Sequence, residues 1–342
     1  MMRLSAAFAL SLSLCLFAPT AASAESPTLE SVRERGVLLC GVNPGQTGMA
    51  VQSETGAWDG MGVDLCRAFA AATLGEANAV EFVPVTARTR FPALQSGEID
   101  ILVRTTTWTH NRDTAFGVDF IASYYMETER ILVTAESGLQ SFADLDGQPV
   151  CVIAGSITEN IVRNREEAAG IAIEPVPVSG VEQYTQAYRD GRCIGVADGA
   201  AGLTALRMGM AVPDAHRFIT EELAISPLSI AVRHGDDSWE DMIRWTFFAL
   251  LEAERLGVTQ INAQRMARES RHPIVRRIFN AEGGSGEALG LEPDWALRAV
   301  QAVGNYGEMY ERAFGPNGAL PIERGKNRMW SEGGMLFTAP FE

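Results

Sequence analysis

Ile99-Asp100-Ile101-Leu102-Val103, followed by Arg104-Thr105-Thr106-Thr107-Trp108-Thr109-His110-Asn111-Arg112, is the stretch that decides the fold. The apolar run reads as a buried strand, and the hydroxyl-rich run reads as the loop at its carboxyl end. In open α/β sheets that end is where small solutes meet the protein. An Arg fork grips a carboxylate through two parallel hydrogen bonds, and nearby hydroxyls share the load. Arg112 with Thr105 and Thr107 is therefore a candidate site for a small carboxylic acid. The competing reading makes Arg112 a surface helix residue beside Asp113.

Upstream, Val37 to Val42 reads as a strand followed by a loop rich in Gly and Pro. Val63 to Leu74 has helical spacing, Val80 to Val85 reads as a strand, and Arg88 to Ser96 as a short helix closed by Gly97. With Ile99 to Val103 this β-loop-α-β-α-β rhythm predicts a mainly parallel sheet with helices on both faces. The rhythm then restarts. Val150 to Ile153 is a strand, Glu159 to Ala169 a helix, and Ile173 to Val176 a strand. Val181 to Asp190 is a helix closed by Gly191, and Ile194 to Ala197 is a strand ending at Asp198.

Two extended apolar segments, Arg130 to Thr134 and Pro227 to Val232, suit crossings between the two α/β lobes. Two crossings return the chain to the first lobe and give a clamshell with a cleft. The expected lobe limits are 25–130 for the first lobe and 131–231 for the second. Residues 232–342 form the return and a helical C-terminal extension. In that extension Trp239 to Leu256 is predicted as one amphipathic helix and Trp295 to Arg312 as another. Gly283-Gly284-Ser285-Gly286 reads as a flexible loop.

Residues 1–24 have the pattern of a secretory signal: Arg3, an apolar core from Ala6 to Ala18, and Ala22-Ser23-Ala24 as a cleavage site near Ala24. The apolar run is shorter than the roughly 20 residues that span a bilayer. The expected compartment is outside the cytoplasm. The formal charge is −15 and becomes one unit more negative without Arg3. Such a surface argues against nucleic acid and anionic lipid as partners. An anionic ligand would have to be attracted by local arginines.

Of the five cysteines, Cys15 lies in the signal, which leaves Cys40, Cys66, Cys151 and Cys193. Four cysteines in an exported chain allow three pairings, and their positions favour Cys40–Cys66 and Cys151–Cys193, one bridge per lobe. Four buried free thiols are the alternative. No C-x-x-C spacing occurs, and His110, His216, His234 and His272 have no metal-ligand spacing. Dinucleotide, phosphate-loop, G-x-S-x-G and H-E-x-x-H motifs are all missing. Neither a cofactor nor a metal is expected.

Asp198, at a strand end in the second lobe, would face the same cleft and attract an ammonium. Its rival role is as N-cap of a helix starting near Ala200. Gly155-Ser156-Ile157-Thr158 opens a helix, where free N–H groups favour an anion. Ordinary capping by Ser156 or Thr158 is the plainer explanation.

These residues resemble the extracytoplasmic solute-binding proteins of polar amino-acid ABC transporters (family 3), in particular the larger general L-amino-acid-binding subgroup. The resemblance rests on Leu39-Cys40-Gly41-Val42-Asn43, on Gly62-Val63-Asp64-Leu65-Cys66-Arg67-Ala68, and on Arg90-Phe91-Pro92-Ala93-Leu94-Gln95-Ser96-Gly97-Glu98-Ile99-Asp100. It continues through Thr106 to Asp113, Val303-Gly304-Asn305-Tyr306-Gly307-Glu308 and Trp330-Ser331-Glu332-Gly333-Gly334. It implies a two-lobe periplasmic-binding-protein clamshell of type II. It also implies that Arg112 binds the α-carboxylate of an amino acid with Thr107 and the backbone near Thr105. Asp198 would bind the α-ammonium, and Gly155, Ser156 and Thr158 would complete the carboxylate site from the second lobe.

The chain departs from the family pattern in three places. Met49 stands where an aromatic residue usually covers the ligand, so it is a candidate for the side-chain pocket. The second-lobe loop reads Gly-Ser-Ile-Thr where Gly-Thr-Thr-Thr is usual, and Glu127-Thr128-Glu129-Arg130 replaces a segment containing Gly. Arg104 either reaches the ligand side chain or lies on the surface.

The resemblance thus implies a non-enzymatic periplasmic receptor that binds free L-amino acids and delivers them to an inner-membrane permease. A monomer is the default for a clamshell that must close. The alternatives are a periplasmic dehydratase of small cyclic acids on the same fold, with Glu182 or Asp198 as acid or base, and a ligand sensor for a receptor.

Overall fold

The computed structural model describes residues 26–280 and 285–342. The signal segment, Cys15, Gly283 and Gly284 lie outside the described residues. The strands are β1 (Leu38–Val42), β2 (Val51–Gln52), β3 (Trp58–Asp59), β4 (Val80–Pro84), β5 (Ile101–Leu102), β6 (Val118–Thr134), β7 (Pro149–Ile153), β8 (Glu174–Val178), β9 (Gly195–Gly199), β10 (His216–Phe218) and β11 (Ala224–Arg233). The helices are α1 (Pro27–Arg35), α2 (Met61–Leu74), α3 (Arg90–Ser96), α4 (His110–Ala115), α5 (Ile157–Ala169), α6 (Val181–Arg189) and α7 (Ala200–Met208). The extension adds α8 (Asp237–Arg255), α9 (Ala263–Glu269), α10 (Pro273–Phe279), α11 (Trp295–Val303) and α12 (Tyr306–Phe314).

One sheet runs through the molecule in the order β4-β1-β5-β11-β6-β9-β7-β8, with β10 on the far part of β6. In its first half β1 lies parallel between β4 and β5, and β11 joins β5 antiparallel at Ala231–Leu102. In its second half β7 lies parallel between β8 and β9. The halves are joined by the 17-residue β6, which pairs with β11 from Val118 to Glu129 and with β9 from Glu129 to Val133. Arg130 to Thr134, expected as a short crossing, is the end of this longer strand.

Alternation along each strand sends side chains to opposite faces, and each half of the sheet is covered on both. In the second lobe Ile131, Val133, Val150 and Val152 meet Val162 of α5, while Leu132, Cys151 and Val196 meet Tyr184, Ala187 and Leu203 from α6 and α7. In the first lobe Phe91, Leu94, Leu102 and Phe120 form one core. The larger core on the other face takes in α2, α8, α11 and α12. Disulfides join Cys40 of β1 to Cys66 of α2, and Cys151 of β7 to Cys193 just before β9, tying a strand to a neighbouring segment in each lobe.

The start of α2 needs a close approach of two backbones. Gly60 has φ 127°, and a Cβ there would lie 2.4 Å from the Met49 carbonyl oxygen. Asp64 then pairs with Arg312 of α12 at 2.6 Å, and Asp100 accepts the Leu39 N–H at 2.8 Å. Both aspartates thus bind other parts of the first lobe and its extension together. The single helix expected from Trp295 to Arg312 is two helices. Gly304, at φ 82°, ends α11, and Asn305 begins α12 with a capping box in which its side chain accepts the Glu308 N–H and Glu308 accepts the Asn305 N–H. Periodicity continued across the break because both helices bury one face against the same core.

The Asn305 side chain also donates to the Val258 carbonyl at 2.8 Å. Asn305→Ala removes both roles and is expected to cost about 1–2 kcal/mol. Urea unfolding of the full chain followed by tryptophan fluorescence should show a lower midpoint at unchanged slope. An unchanged midpoint would mean that the cap contributes nothing.

Candidate ligand cleft

Where β6 passes from β11 to β9, a narrow cavity of about 50 Å3 lies between the lobes. Arg90, Arg104, Thr105, Thr107 and Arg112 reach it from the first lobe. Glu127 and Glu129 reach it from β6, and Ser156, Ile157, Thr158, Asp198 and Gly199 from the second lobe. That volume is several times smaller than the pockets that hold drug-sized ligands.

The Arg112 wall is built by a loop held against β11. Trp108 N–H donates to the Pro227 carbonyl, Ser229 N–H to the Thr106 carbonyl, and Thr107 forms a bridge to Leu228. Thr109 caps α4 by accepting the Arg112 N–H. Arg112 Nη1 then donates to the Thr107 carbonyl at 2.9 Å, which fixes the guanidinium at the cavity wall. Thr105 Oγ1 accepts from Asn43 Nδ2 at 3.0 Å and donates to Gln46 Oε1 at 3.1 Å. Arg104 is buried; its Nε donates to the Val85 carbonyl and its Nη2 to Asn43 Oδ1.

On the second-lobe side, Ser156 caps α5 by accepting the Glu159 N–H, and the Gly155 N–H donates back to Glu159 Oε2. The plain capping role is thus present at Ser156, and its side chain still borders the cavity. Thr158 Oγ1 donates to Glu129 Oε2 at 2.8 Å. Asp198 lies one residue before the end of β9 beside the Tyr184 hydroxyl. It does not cap α7, whose cap residue is Gly199 with no side-chain bond. Instead Glu127 Oε1 accepts the Ala201 N–H in the first turn of α7.

Two expected residues lie elsewhere. Met49 is 2% exposed, packed in the first-lobe core under α2, and does not border the cavity. Gly155 sits at the outer mouth beside Arg88. Glu182, the rival acid, is exposed on α6 away from the cavity. Among the described residues no cluster of His, Cys, Asp and Glu is arranged to hold a metal ion. Arg90, Glu127 and Glu129 were not singled out as site residues from sequence. An arginine opening a helix opposes the helix dipole, and two glutamates with one residue between them share a strand face. Those were the available signals.

Burial governs the charges here. It lowers Arg104 and Arg112 to about 10, so both stay protonated at neutral pH. Burial, reinforced by Glu129, pushes Glu127 up to about 8 and Asp198 up to about 7. Glu129 is raised by burial against the opposing pull of the Ser226 and Thr158 hydroxyls and Arg112.

The chain matches the family model of bacterial extracellular solute-binding proteins, family 3, over residues 38–316. It is 38% identical to the glutamate/glutamine/aspartate/asparagine-binding protein BztA of Rhodobacter capsulatus, over 96% of this chain and 97% of that one. It is 39% identical to the general L-amino acid-binding periplasmic protein AapJ of Rhizobium johnstonii, over 94% of each. Among solved structures, a periplasmic binding protein from Brucella ovis with glutathione bound superposes with a TM-score of 0.88 at 38% identity. That match covers 92% of this chain and 99% of the other.

The raised carboxyls set a pH dependence. Between the ordinary glutamate value of 4.5 and about 8, the native state holds a proton on Glu127 that the unfolded chain has lost. Stability from this group is therefore complete below 4.5 and lost as pH rises through 8. Glu127→Gln, measured by urea unfolding of ligand-stripped protein, should equal wild type near pH 4 and gain on it progressively toward pH 8.5. Parallel pH profiles for the two proteins would show that Glu127 does not hold that proton.

Proposed function

This chain belongs to family 3 of the bacterial extracellular solute-binding proteins, and we propose that its cleft binds a free L-amino acid for delivery to the permease of an ABC transporter. One observation carries the reading: Arg112 with Thr107 on one lobe and Asp198 with Thr158 on the other border a single cavity. The α-carboxylate goes to Arg112, Thr107 and the backbone near Thr105, with Ser156, Thr158 and the start of α5 adding donors on closure. The α-ammonium goes to Asp198, which then loses its proton to the favourable pairing. Gly155 forms the turn that aims α5 at the cleft, and Arg104 opposes Asp198 across it.

The lobes take the limits 25–130, 131–231 and 232–342, with β6 and β11 as the flexing crossings. In the open form the ligand meets one lobe. Closure brings the other lobe onto it and excludes water, so each charge-assisted bond strengthens. The protein works as a monomer in the periplasm after removal of residues 1–24 and performs no chemistry on its ligand. The exposed position of Glu182 speaks against the dehydratase alternative. Among the described residues no helix is long and apolar enough to cross a membrane.

Removing Arg112 strands a carboxylate in a dry cleft. Arg112→Met is expected to weaken binding of every amino-acid ligand by about 2–5 kcal/mol, and Asp198→Asn by a similar amount through the ammonium. Titration calorimetry on ligand-stripped protein measures both. Affinity within about threefold of wild type in either variant would sink that assignment.

A further inference from the structure

We propose that Arg90 is a second anion site of this cleft, one that receives a carboxylate on the ligand's side chain, so that the receptor prefers amino acids carrying two carboxylates. The inference rests on the amino-acid reading above and narrows it.

Arg90 is 2% exposed and borders the cavity beside Ala87 and Ile157. Its Nε has no hydrogen-bond partner, and no carboxylate lies within ion-pair distance of it among the described residues. The guanidinium rests 4.9 Å from the Phe91 ring centre, which supports the cation without neutralising it. Its two neighbours are better served. Asp198 acts on Arg104 and Glu129 acts on Arg112, whereas the charges acting on Arg90 are the like charges of Arg104 and Arg112. A zwitterion seated on Arg112 and Asp198 leaves Arg90 unanswered.

The acidic side of the cavity does not make an equal demand. Glu127 Oε2 is also buried without a partner, which by itself would invite a cationic side chain. A carboxyl can meet that situation by taking up a proton, and burial holds Glu127 in the range where it does so. A guanidinium cannot shed its proton. The unmet requirement is therefore for an anion. A carboxylate satisfies it with two parallel bonds, a side-chain amide with one uncharged acceptor, and a second ammonium would be repelled.

Calorimetric titration of the ligand-stripped mature chain at pH 7 with L-glutamate, L-aspartate, L-glutamine, L-asparagine, L-alanine and L-lysine tests this. Glutamate or aspartate should bind about tenfold or more tightly than its own amide, and lysine weakest of all. Arg90→Met should bring each acid close to the level of its amide, with the acid losing about tenfold more affinity than the amide, and Arg90→Lys should keep part of the preference. Circular dichroism establishes that each variant is folded. An amide equal to its acid in the wild type, or lysine binding tightest, overturns the proposal without any variant. So does Arg90→Met weakening acid and amide alike. The receptor reading fails separately, through a wild type that binds no amino acid at all, and takes this proposal with it.

Discussion

Everything in this cleft is positioned from one strand that has two sets of partners. At Glu129, β6 faces Ala224 of β11 on one edge and Gly199 of β9 on the other. Before that residue it belongs to the first lobe and after it to the second. A continuous strand keeps its hydrogen bonds through small changes of twist, which suits the proposed swing of the lobes about the β6–β11 pair. The register shifts in that pair, between Leu228 and Ser229 and between Ile230 and Ala231, place irregular backbone beside the loop that carries Thr107. Glu127 and Glu129 stand at the seam itself and therefore sense both lobes.

The buried charges follow from this layout. The first-lobe wall is cationic, with Arg90, Arg104 and Arg112, and the hinge and second lobe are acidic, with Glu127, Glu129 and Asp198. Among the described residues none of these cross-cavity pairs comes within ion-pair distance, so the field is spread across the cavity instead of being consumed in direct bonds. A dipolar ligand lying along that field replaces the water that would otherwise screen it. Because the protein as a whole carries a formal charge of −15, the cationic wall is a local exception, and burial limits its screening by salt.

The parts that were legible in the sequence are those governed by local rules. Arg112, Thr105 and Thr107 follow a strand end and Asp198 lies at one, and strand ends lead to the cleft in an open sheet. The turns at Gly97 and Gly191 adopt the left-handed conformation expected after a helix. What was hidden depends on chain segments far apart. Arg90 is buried at the cavity beside the Phe91 ring, a placement set by tertiary packing and not by its position at the start of a short helix. The early half of β6 was missed because Val118 to Tyr125 alternates around bulges. Met49 reads as a ligand neighbour by position, but the close packing of Gly60 and Gly62 against its carbonyl draws it into the core.

The helical extension answers a backbone problem that the hinge creates. β9 covers its edge of β6 only from Glu129 onward, so among the described residues no strand lies along that edge beside Tyr124 and Met126. Buried N–H and C=O groups there need partners. The Tyr306 hydroxyl of α12 donates to the Tyr124 carbonyl at 2.9 Å. The carboxamide of Asn327, itself 4% exposed, accepts the Met126 N–H at 2.6 Å and donates to the Met126 carbonyl at 3.3 Å. One side chain thereby stands in for a residue of a missing strand. Arg324, paired with Glu254 and lying over the Tyr306 and Tyr310 rings, holds this segment in place. The extension covers an edge that would otherwise be open to another chain. It does so from the first lobe, where it completes the strand, and it reaches the second lobe through the half-exposed ion pair of Lys326 with Glu222 at 3.6 Å.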